Sequence, residues 1–399
     1  MTGGGPLEIA GAIRRLQPEV VAKIAAGEVI LRPVSVAKEP LENALDAGAT
    51  QVEVEIREAA DRFLSVADDG RGMAREDCLL SVERHATSKL VEENDLLNVR
   101  TLGFRGEALA SIARVARLRV LTSPDGIAGS DLRVRGGVQE SIRPAARGRG
   151  TTVEVEDLFF NSPVRKRFLR SPASEIRLVQ RLVAAYALGR SDLSFRLIVD
   201  GKAAIDYPAV SGETRLEQVY GARFREKVLP LRGDHPRLRI GGWVGIPEQA
   251  RSGAQGQTVL VNGRWVTHPA LGQALRQGFG DLIPAGKSPF AVLLIEAPEG
   301  SVDVNIHPTK REIRFHDEGL VFAEVVRTVK EATRRLIPAV STGGTTTGPT
   351  GGWAPGAWRP DDEAISGSAS ASMLDLIYAP HVLRTRSETA SAPLVRDAA

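Results

Sequence analysis

Glu39 and Asn43 are the residues of this sequence whose types and spacing first point to chemistry. They lie in the segment VSVAKEPLENALDAGAT at 34–50, and a separation of four residues brings two side chains onto one face of a helix. A carboxylate can orient or deprotonate a water molecule, and an amide oxygen can ligate a hard cation such as magnesium. The pair therefore suits phosphate chemistry, although the same spacing also occurs on an ordinary solvated helix face.

Four segments further along the chain favour the chemical interpretation. One is DDGRGM (68–73), where an Asp can accept a hydrogen bond from an exocyclic amine and the glycines allow a ligand close to the backbone. The next two are RHATSKL (84–90) and TLGFRGEALASI (101–112), and the latter is a glycine-bearing loop that offers N–H groups to an anion at a helix start. The last is GTTVEVEDLFFNSPVRKRFL (150–169), a strand entry followed by a basic stretch. Each is weak alone, but their order and intervals are specific together.

Hydrophobic patterning predicts the elements that position these motifs. A helix over 33–48 has proline in its first turn and a glycine at its end. Alternating apolar residues predict a strand at 51–58, and 63–70 is predicted as a second strand that runs into an Asp-Gly turn. Further helices are predicted at 75–85, 107–115, 174–189, 214–221, 268–279 and 318–336. Further strands are predicted at 117–123, 131–135, 151–157, 237–245, 257–262 and 289–297, with a hairpin over 193–207. Strands and helices are mixed in both halves, so the predicted fold class is α+β.

The length and composition predict two folded domains and a tail. A chain of 399 residues with 42% hydrophobic and 25% charged residues is typical of globular proteins. The stretch 341–372 is rich in Gly, Thr, Ser and Pro without a hydrophobic period, which is typical of a flexible linker. We therefore expect domains at 1–212 and 213–340, and a disordered linker and tail at 341–399.

Charge, cysteine content and hydropathy limit the class of protein. The net charge of +3 permits a nucleic-acid partner but fits a general surface excess of arginine equally well. The single cysteine, Cys78, cannot form an intramolecular disulfide and is expected to be a small buried residue. The N-terminus lacks the apolar core of a signal peptide, and the longest apolar run, at 290–297, is too short to span a bilayer. We expect a cytoplasmic protein without a membrane partner.

The motifs resemble those of the MutL family of DNA mismatch repair ATPases, within the GHKL superfamily. The resemblance covers about 15–337, and the pairing of GFRGEALASI with NIHPTKREIRF favours MutL over other GHKL families. It implies a GHKL (Bergerat) ATPase α/β sandwich followed by a transducer-like α+β domain similar to domain 2 of ribosomal protein S-five. The remaining matching stretches are KIAAGEVILRPVSVAKEPLENALDAGAT, DDGRGM, RHATSKL, GTTVEVEDLFFNSPVRKRFL and VNGRWV.

The resemblance also implies a role for individual residues. Glu39 would be the general base, Asn43 would ligate magnesium, and Asp68 would accept from the adenine amino group. Lys310 would reach the γ-phosphate from the second domain, and Gly72 would leave room for the nucleotide. The lid over the phosphates would contain Gly103, Phe104, Arg105 and Gly106. The rest of the implied nucleotide-binding set is Gly70, Thr87, Ser88, Lys89, Leu102, Thr151 and Thr152, of which Thr151 or Thr152 would help line the adenine pocket.

The function implied by the resemblance is that of an ATP-dependent switch in mismatch repair. It would be a slow, magnesium-dependent ATPase, with ATP and Mg²⁺ as ligands, that forms a homodimer through its N-terminal regions when ATP is bound. Its partners would be DNA, bound non-specifically, a mismatch-recognition protein of MutS type and a downstream nuclease or helicase, in the cytoplasm at the nucleoid. Candidate DNA contacts are Arg264, Arg165, Lys166 and Arg167. No D-Q-H-A metal motif occurs in the sequence, so no endonuclease activity is expected of this chain.

Two positions depart from the pattern of the family. Asp69 stands where the family usually has Asn, and Pro40 directly follows Glu39 where the family has an apolar helix former. Asp69 also suits a turn, but its negative charge near a nucleotide would be mildly unfavourable. Because of Pro40, a hydrolysis-impaired, nucleotide-binding scaffold is the alternative interpretation. Two further interpretations are a topoisomerase ATPase fragment and a histidine kinase. The first would need a cleavage domain with an active tyrosine, and the second would need a phospho-acceptor helix upstream.

We predict that the wild-type protein binds ATP but hydrolyses it more slowly than a Pro40→Leu variant. Proline removes a backbone donor and its ring crowds the carbonyl of Val36, which costs about 3 kcal/mol or kinks the helix beside Glu39. Steady-state phosphate release from both proteins at saturating ATP measures the difference. Equal turnover would contradict this prediction.

Overall fold

A computed structural model describes residues 30–89, 101–103, 106–304 and 312–336. Lys310, Phe104, Arg105 and the predicted tail at 341–399 lie outside the described residues, so the predictions made for them stay untested. The described residues form two large β-sheets and two two-stranded sheets together with helices, which confirms the predicted α+β class. No helix in this described part is long and apolar enough to cross a membrane.

The first sheet contains eight strands among the described residues. They are β1 (Gln51–Arg57), β2 (Phe63–Asp68), β3 (Arg117–Ser123), β4 (Gly129–Arg135), β5 (Val138–Ala145), β6 (Gly150–Glu156), β7 (Ser194–Val199) and β8 (Lys202–Tyr207). Their order is β5-β4-β3-β6-β2-β1-β7-β8, and β1 runs parallel to β7. Val52, Val54 and Ile56 of β1 are buried, as their alternation predicts, because successive side chains of a strand point to opposite faces.

Among the described residues, six helices belong to the part of the chain that contains this sheet, and all except α4 bury residues. They are α1 (Pro33–Asp46), α2 (Arg75–Leu80), α3 (Ala108–Val115), α4 (Pro163–Arg167), α5 (Pro172–Gly189) and α6 (Gly212–Tyr220). Helix α1 contacts β2, α3 and α5. Its apolar residues Val36, Leu41 and Ala44 are at most 1% exposed, so the helix is held by burial on several sides. That packing fixes the orientation of the polar residues on α1.

The second sheet lies in the C-terminal half of the described chain. Strands β9 to β17 are Val228–His235, Leu238–Gly245, Arg251–Ser252, Gln257–Val261, Arg264–Val266, Lys287–Ser288, Ala291–Glu296, Val302–Asp303 and Arg314–Phe315. Five of them, in the order β13-β12-β15-β10-β9, form the main sheet of this part. Helices α7 (Pro269–Phe279) and α8 (Glu318–Thr333) pack against each other, and α8 packs on β9 and β10. Short 3₁₀ segments lie at Ala222–Lys227, Pro247–Gln249, Gly280–Leu282 and Arg334–Leu336.

The two sheet units share a packed junction. Helix α5 of the first unit contacts β12 and β13 of the second. Trp265, Phe290 and Val292 of the second unit belong to the same hydrophobic core as the helices of the first. Burying such large side chains between two units opposes independent motion of the units. The boundary between 212 and 213 falls at the start of α6 and stays a prediction.

Most predicted elements are found within a few residues, whereas helix α4 and several strands were not predicted. Helix α1 ends at Asp46 rather than 48, and α2 ends at Leu80 rather than 85. The longest missed strands are β5 and β9, and the others are the short strands β11, β13, β14, β16 and β17. Strand β5 has no buried residue, so it carries no apolar alternation. Cys78 is fully buried, as predicted, and burial raises the pKa of its thiol to about 11.

We predict that Gly242→Ala destabilises the second unit much more than Gly241→Ala. Gly242 has φ of +114°, and a Cβ atom there would lie 1.9 Å from the carbonyl oxygen of Val292, whereas a Cβ at Gly241 would meet nothing within 4 Å. The expected loss for Gly242→Ala is about 2 kcal/mol or more. Denaturant unfolding of both variants measures it, and equal unfolding midpoints would show that the strand relaxes freely.

Candidate functional site

A cavity of about 520 Å³ lies between α1, the end of β2, the segment 86–89 and the start of α3. A volume of this size is typical of small-molecule sites. Ten of the residues selected from the sequence line it: Glu39, Asn43, Asp68, Gly72, Thr87, Ser88, Lys89, Gly103, Gly106 and Thr151. Segments up to 112 residues apart in the chain therefore meet in one place, from Glu39 to Thr151.

Helix α1 supplies one wall of the cavity through Glu39, Pro40 and Asn43. Glu39 is 5% exposed and Asn43 is half-buried, so the solvated helix face considered from the sequence does not describe them. The helix continues from Pro33 to Asp46 across Pro40. The proline therefore leaves the acid and the amide on the same side of one helix.

Asp46 ties α1 to the two segments that border the cavity. Its Oδ1 accepts from the backbone N–H of Leu102 at 2.9 Å, and its Oδ2 accepts from the N–H of Gly103 at 2.9 Å. The ammonium of Lys89 donates to the same Oδ2 at 2.6 Å and to Asn43 Oδ1 at 2.8 Å. Charge-assisted bonds of this kind are among the stronger hydrogen bonds in proteins. One carboxylate thus positions both segments against the helix.

Asp46 was missed by the sequence analysis, although a signal for it was present. It lies three residues after Asn43 and seven after Glu39, and both separations place side chains on the same helix face. A carboxylate at the last turn of a helix is unfavourable for the helix dipole. Its position there is explained by the two loop N–H groups and the ammonium that it binds.

The carboxylates of Asp68 and its neighbour Asp69 lie in different environments. Asp68 lines the cavity and its Oδ1 accepts from the N–H of Gly70 at 2.8 Å. Burial raises the pKa of Asp68 above its usual value of 3.8. Asp69 instead accepts from the backbone N–H groups of Thr50 at 2.7 Å and Gln51 at 2.9 Å. Burial opposes ionisation of Asp69, but a hydrogen bond from the Thr50 hydroxyl and these two backbone bonds outweigh it and lower its pKa.

The unusual aspartate at 69 is therefore explained by local structure. Its carboxylate fastens the turn after β2 to the start of β1 and is absent from the cavity wall among the described residues. A negative charge at this position does not face the ligand space.

Three predicted nucleotide-binding residues, Gly70, Leu102 and Thr152, do not line the cavity wall of the described residues. Gly70 lies against Ala47, and Leu102 packs on the core. The hydroxyl of Thr152 accepts from Arg147 Nη2 at 3.0 Å. These residues support the wall from behind, and Thr151 is the threonine that reaches the cavity.

Arg147 was also missed and lies behind the wall formed by Asp68. Its Nη2 donates to the Asp68 carbonyl at 2.8 Å as well as to Thr152. Burial lowers the pKa of Arg147, while the charge of Asp68 opposes that shift. The arginine therefore couples the ends of β2 and β6 where they border the cavity.

Gly72 has a conformational reason to be glycine in addition to its place in the cavity. Its φ is +64°, and a Cβ atom would lie 2.0 Å from the carbonyl oxygen of Ser123. Space for a ligand was the role implied by the sequence. The structure adds that the backbone of the next strand leaves no room for a side chain.

The prediction of a DNA contact at Arg264 is wrong for this conformation. Arg264 is 3% exposed, and its Nη2 donates to the Thr101 carbonyl at 3.1 Å. A buried guanidinium cannot reach a DNA phosphate. The other candidates lie on the surface in or beside α4, where Arg167 is exposed and Lys166 Nζ lies 3.6 Å from Asp61 Oδ2.

Comparisons with known proteins agree with the motifs. Residues 32–135 match the family described as "Histidine kinase-, DNA gyrase B-, and HSP90-like ATPase", and residues 216–334 match "DNA mismatch repair protein, C-terminal domain". The DNA mismatch repair protein MutL of Azotobacter vinelandii is 44% identical over 77% of this chain and 49% of that protein. The chain belongs to the MutL family.

Other MutL relatives and solved structures give the same result. MutL of Anaeromyxobacter dehalogenans is 42% identical over 81% of this chain and 53% of that protein. The chain thus spans about half the length of the curated MutL proteins it matches. Its fold is similar to the N-terminal domain of a DNA repair protein, with a TM-score of 0.68 at 25% identity over 80% of this chain and 99% of that one. It is also similar to the Aquifex aeolicus MutL ATPase domain complexed with ADP, with a TM-score of 0.53 at 28% identity over 74% and 98%.

We predict opposite effects on stability from Asp68→Asn and Asp69→Asn at neutral pH. The pKa of Asp68 is raised by folding, so its ionisation lowers stability as pH rises through the range above 3.8. The pKa of Asp69 is lowered, so its stabilisation is present above 3.8 and is lost as pH falls below it. At pH 7, Asp68→Asn should be at least as stable as wild type and Asp69→Asn less stable.

Thermal unfolding from pH 3 to pH 8 measures both effects. The difference in stability between each variant and the wild type should become smaller toward pH 3. A lower stability of Asp68→Asn at pH 7, or an unchanged stability of Asp69→Asn, would contradict the assignment of these environments.

Proposed function

We propose that this chain is the ATP-binding switch region of a DNA mismatch repair protein, and that its cavity binds and hydrolyses ATP. The observation that carries the proposal is the meeting of Glu39, Asn43 and Asp68 in one cavity of nucleotide size. The matched ATPase family and the ADP-complexed neighbour support it. The hydrolysis-impaired scaffold has no such support, because α1 continues through Pro40 with Glu39 and Asn43 on the cavity side.

The donor set fits a magnesium ion beside Asn43. An amide oxygen is a suitable ligand for this hard cation, and Asn43 Oδ1 already accepts from the positively charged Lys89 ammonium at 2.8 Å. The ammonium thus occupies a cation position between Asn43 Oδ1 and the Asp46 carboxylate, and it would have to leave Oδ1 for magnesium to bind there. When bound, magnesium would neutralise charge that develops on the phosphates.

Different side chains of the cavity would bind the nucleotide and promote its hydrolysis. Asp68 would accept from the adenine amino group, with its Oδ1 oriented by the Gly70 N–H. Glu39, buried at the cavity wall, would orient and deprotonate the attacking water. The backbone of 101–103, held by Asp46, would border the phosphates. Lys310, outside the described residues, stays a proposed contact of the γ-phosphate.

The wider function rests on the family and on the surface of α4. We propose non-specific DNA binding through phosphate contacts of Arg165, Lys166 and Arg167, with a strong dependence on salt. ATP-dependent homodimerisation, cooperation with a MutS-type protein and signalling to a nuclease or helicase complete the proposal. Magnesium dependence, the absence of endonuclease activity in this chain and association with the nucleoid belong to the same proposal.

We predict that Glu39→Gln separates hydrolysis from binding. The variant keeps the shape of the side chain but loses the base, so kcat should fall by about a hundredfold or more while ATP still binds. Phosphate release and titration with a fluorescent ATP analogue measure the two properties. The matched control is Glu53→Gln, on β1 and outside the described cavity wall, which should behave as wild type. Turnover by Glu39→Gln at the wild-type rate would contradict the proposed function.

A further inference from the structure

Arg264 belongs to a buried polar cluster at the junction of the two sheet units. The cluster also contains Lys38 and Glu42 of α1 and Tyr186 of α5, and all four side chains are at most 6% exposed. Glu42 Oε1 lies 3.3 Å from Lys38 Nζ and 3.8 Å from Arg264 Nη1, and it accepts a hydrogen bond from the Tyr186 hydroxyl. Three elements, α1, α5 and β13, therefore meet at one carboxylate.

The tyrosine acts as a fixed donor within this cluster. Burial and the neighbouring Glu42 raise the pKa of Tyr186 well above its usual value, so its hydroxyl keeps the proton that it donates. The same hydroxyl receives a hydrogen bond from the backbone of Trp265, next to Arg264. Strand β13 is thus joined to α1 both through Arg264 and through Tyr186.

A buried guanidinium is costly unless acceptors compensate for its lost hydration. Arg264 Nη2 donates to the Thr101 carbonyl at 3.1 Å, and Nη1 lies 3.8 Å from the Glu42 carboxylate, an ion pair without a hydrogen bond. Removing either acceptor would leave the charge poorly compensated. The junction is therefore stable when α1 and Thr101 are both in place.

Both acceptors are directly next to residues that line the cavity or hold its border. Glu42 is one residue before Asn43 on α1. Thr101 directly precedes Leu102 and Gly103, whose N–H groups donate hydrogen bonds to Asp46. The segment 101–103 is thus held from one side by Asp46 of the first unit and from the other by Arg264 of the second. Arg264 itself does not appear in the described cavity wall.

We propose that Arg264 is a positioning residue through which the second sheet unit fixes segment 101–103 against α1, so that ATP binding and turnover depend on the junction. The proposal deepens the proposed function and rests on it for the nucleotide. Its structural part, the restraint on 101–103, holds without a ligand. The second unit would thereby respond to the state of the nucleotide site through one arginine.

The test compares Arg264→Gln and Arg264→Lys with the control Arg239→Gln in the whole chain. Arg239 lies on β10 of the same unit, is 75% exposed and has ion-pair contacts of 3.9 Å or longer, so its removal should change little. Lysine at 264 keeps the charge but loses the planar fork that spans two acceptors. It also provides a folded variant if glutamine at 264 prevents folding.

The first measurement is hydrogen exchange by mass spectrometry without nucleotide, at a temperature well below unfolding. We expect faster exchange in the peptide that contains 101–103 for both Arg264 variants, and wild-type exchange there for Arg239→Gln. A merely structural role would lower the unfolding temperature while leaving exchange in that peptide unchanged, and this outcome would overturn the proposal.

The second measurement separates this proposal from the proposed function. With MgATP, we expect kcat/KM of Arg264→Gln to fall about tenfold or more, with a smaller fall for Arg264→Lys and none for the control. A wild-type protein that neither binds nor hydrolyses ATP would refute the proposed function, while the exchange experiment would still decide the role of Arg264. Active wild type with unchanged Arg264 variants would refute the positioning role alone.

Discussion

The organisation of the site depends on the Asp46 carboxylate. Two oxygens receive three donors, namely the Lys89 ammonium and the backbone N–H groups of Leu102 and Gly103. Each donor belongs to a segment without a regular element of its own at that point, so the carboxylate supplies the geometry that a helix or strand would otherwise provide. Without it, the last turn of α1 would lose its bonds to both segments, leaving the Arg264 bond to the Thr101 carbonyl and the Lys89 bond to Asn43.

Helix α1 brings the chemical face of the site and the junction between the units onto one rigid element. Glu39 and Asn43 face the cavity, while Lys38 and Glu42 face the buried cluster that includes Arg264. A helix is stiff over this distance, so a displacement of the residues on one face also displaces those on the other. This arrangement explains why an otherwise apolar, buried helix carries so many polar residues.

The sequence was sufficient for features that depend on local pattern. The alternation in β1, the helix from Pro33 and the pairing of Glu39 with Asn43 all follow from residue spacing, and the structure places them as predicted. Strand β5 was missed because it lies at the edge of its sheet without a buried residue. Edge strands with two exposed faces carry no period-two signal.

Features that depend on contacts distant in sequence were not predictable. The backbone donors to Asp46 are 56 and 57 residues away, and the Thr101 carbonyl is 163 residues from Arg264. An arginine in VNGRWV looks like a surface charge until the packing of α5 on β13 buries it. The negative charge of Asp69 was likewise expected near the ligand. Its carboxylate instead accepts hydrogen bonds from the backbone N–H groups of Thr50 and Gln51 at the start of β1.

A crystal structure with magnesium and a non-hydrolysable ATP analogue tests the central claim most directly. The account predicts the triphosphate in the cavity with Glu39 and Asn43 facing it, Asn43 Oδ1 on the metal, and the N–H groups of Leu102 and Gly103 still bonded to Asp46. A triphosphate bound elsewhere, with Glu39 and Asn43 turned away from it, would contradict the account.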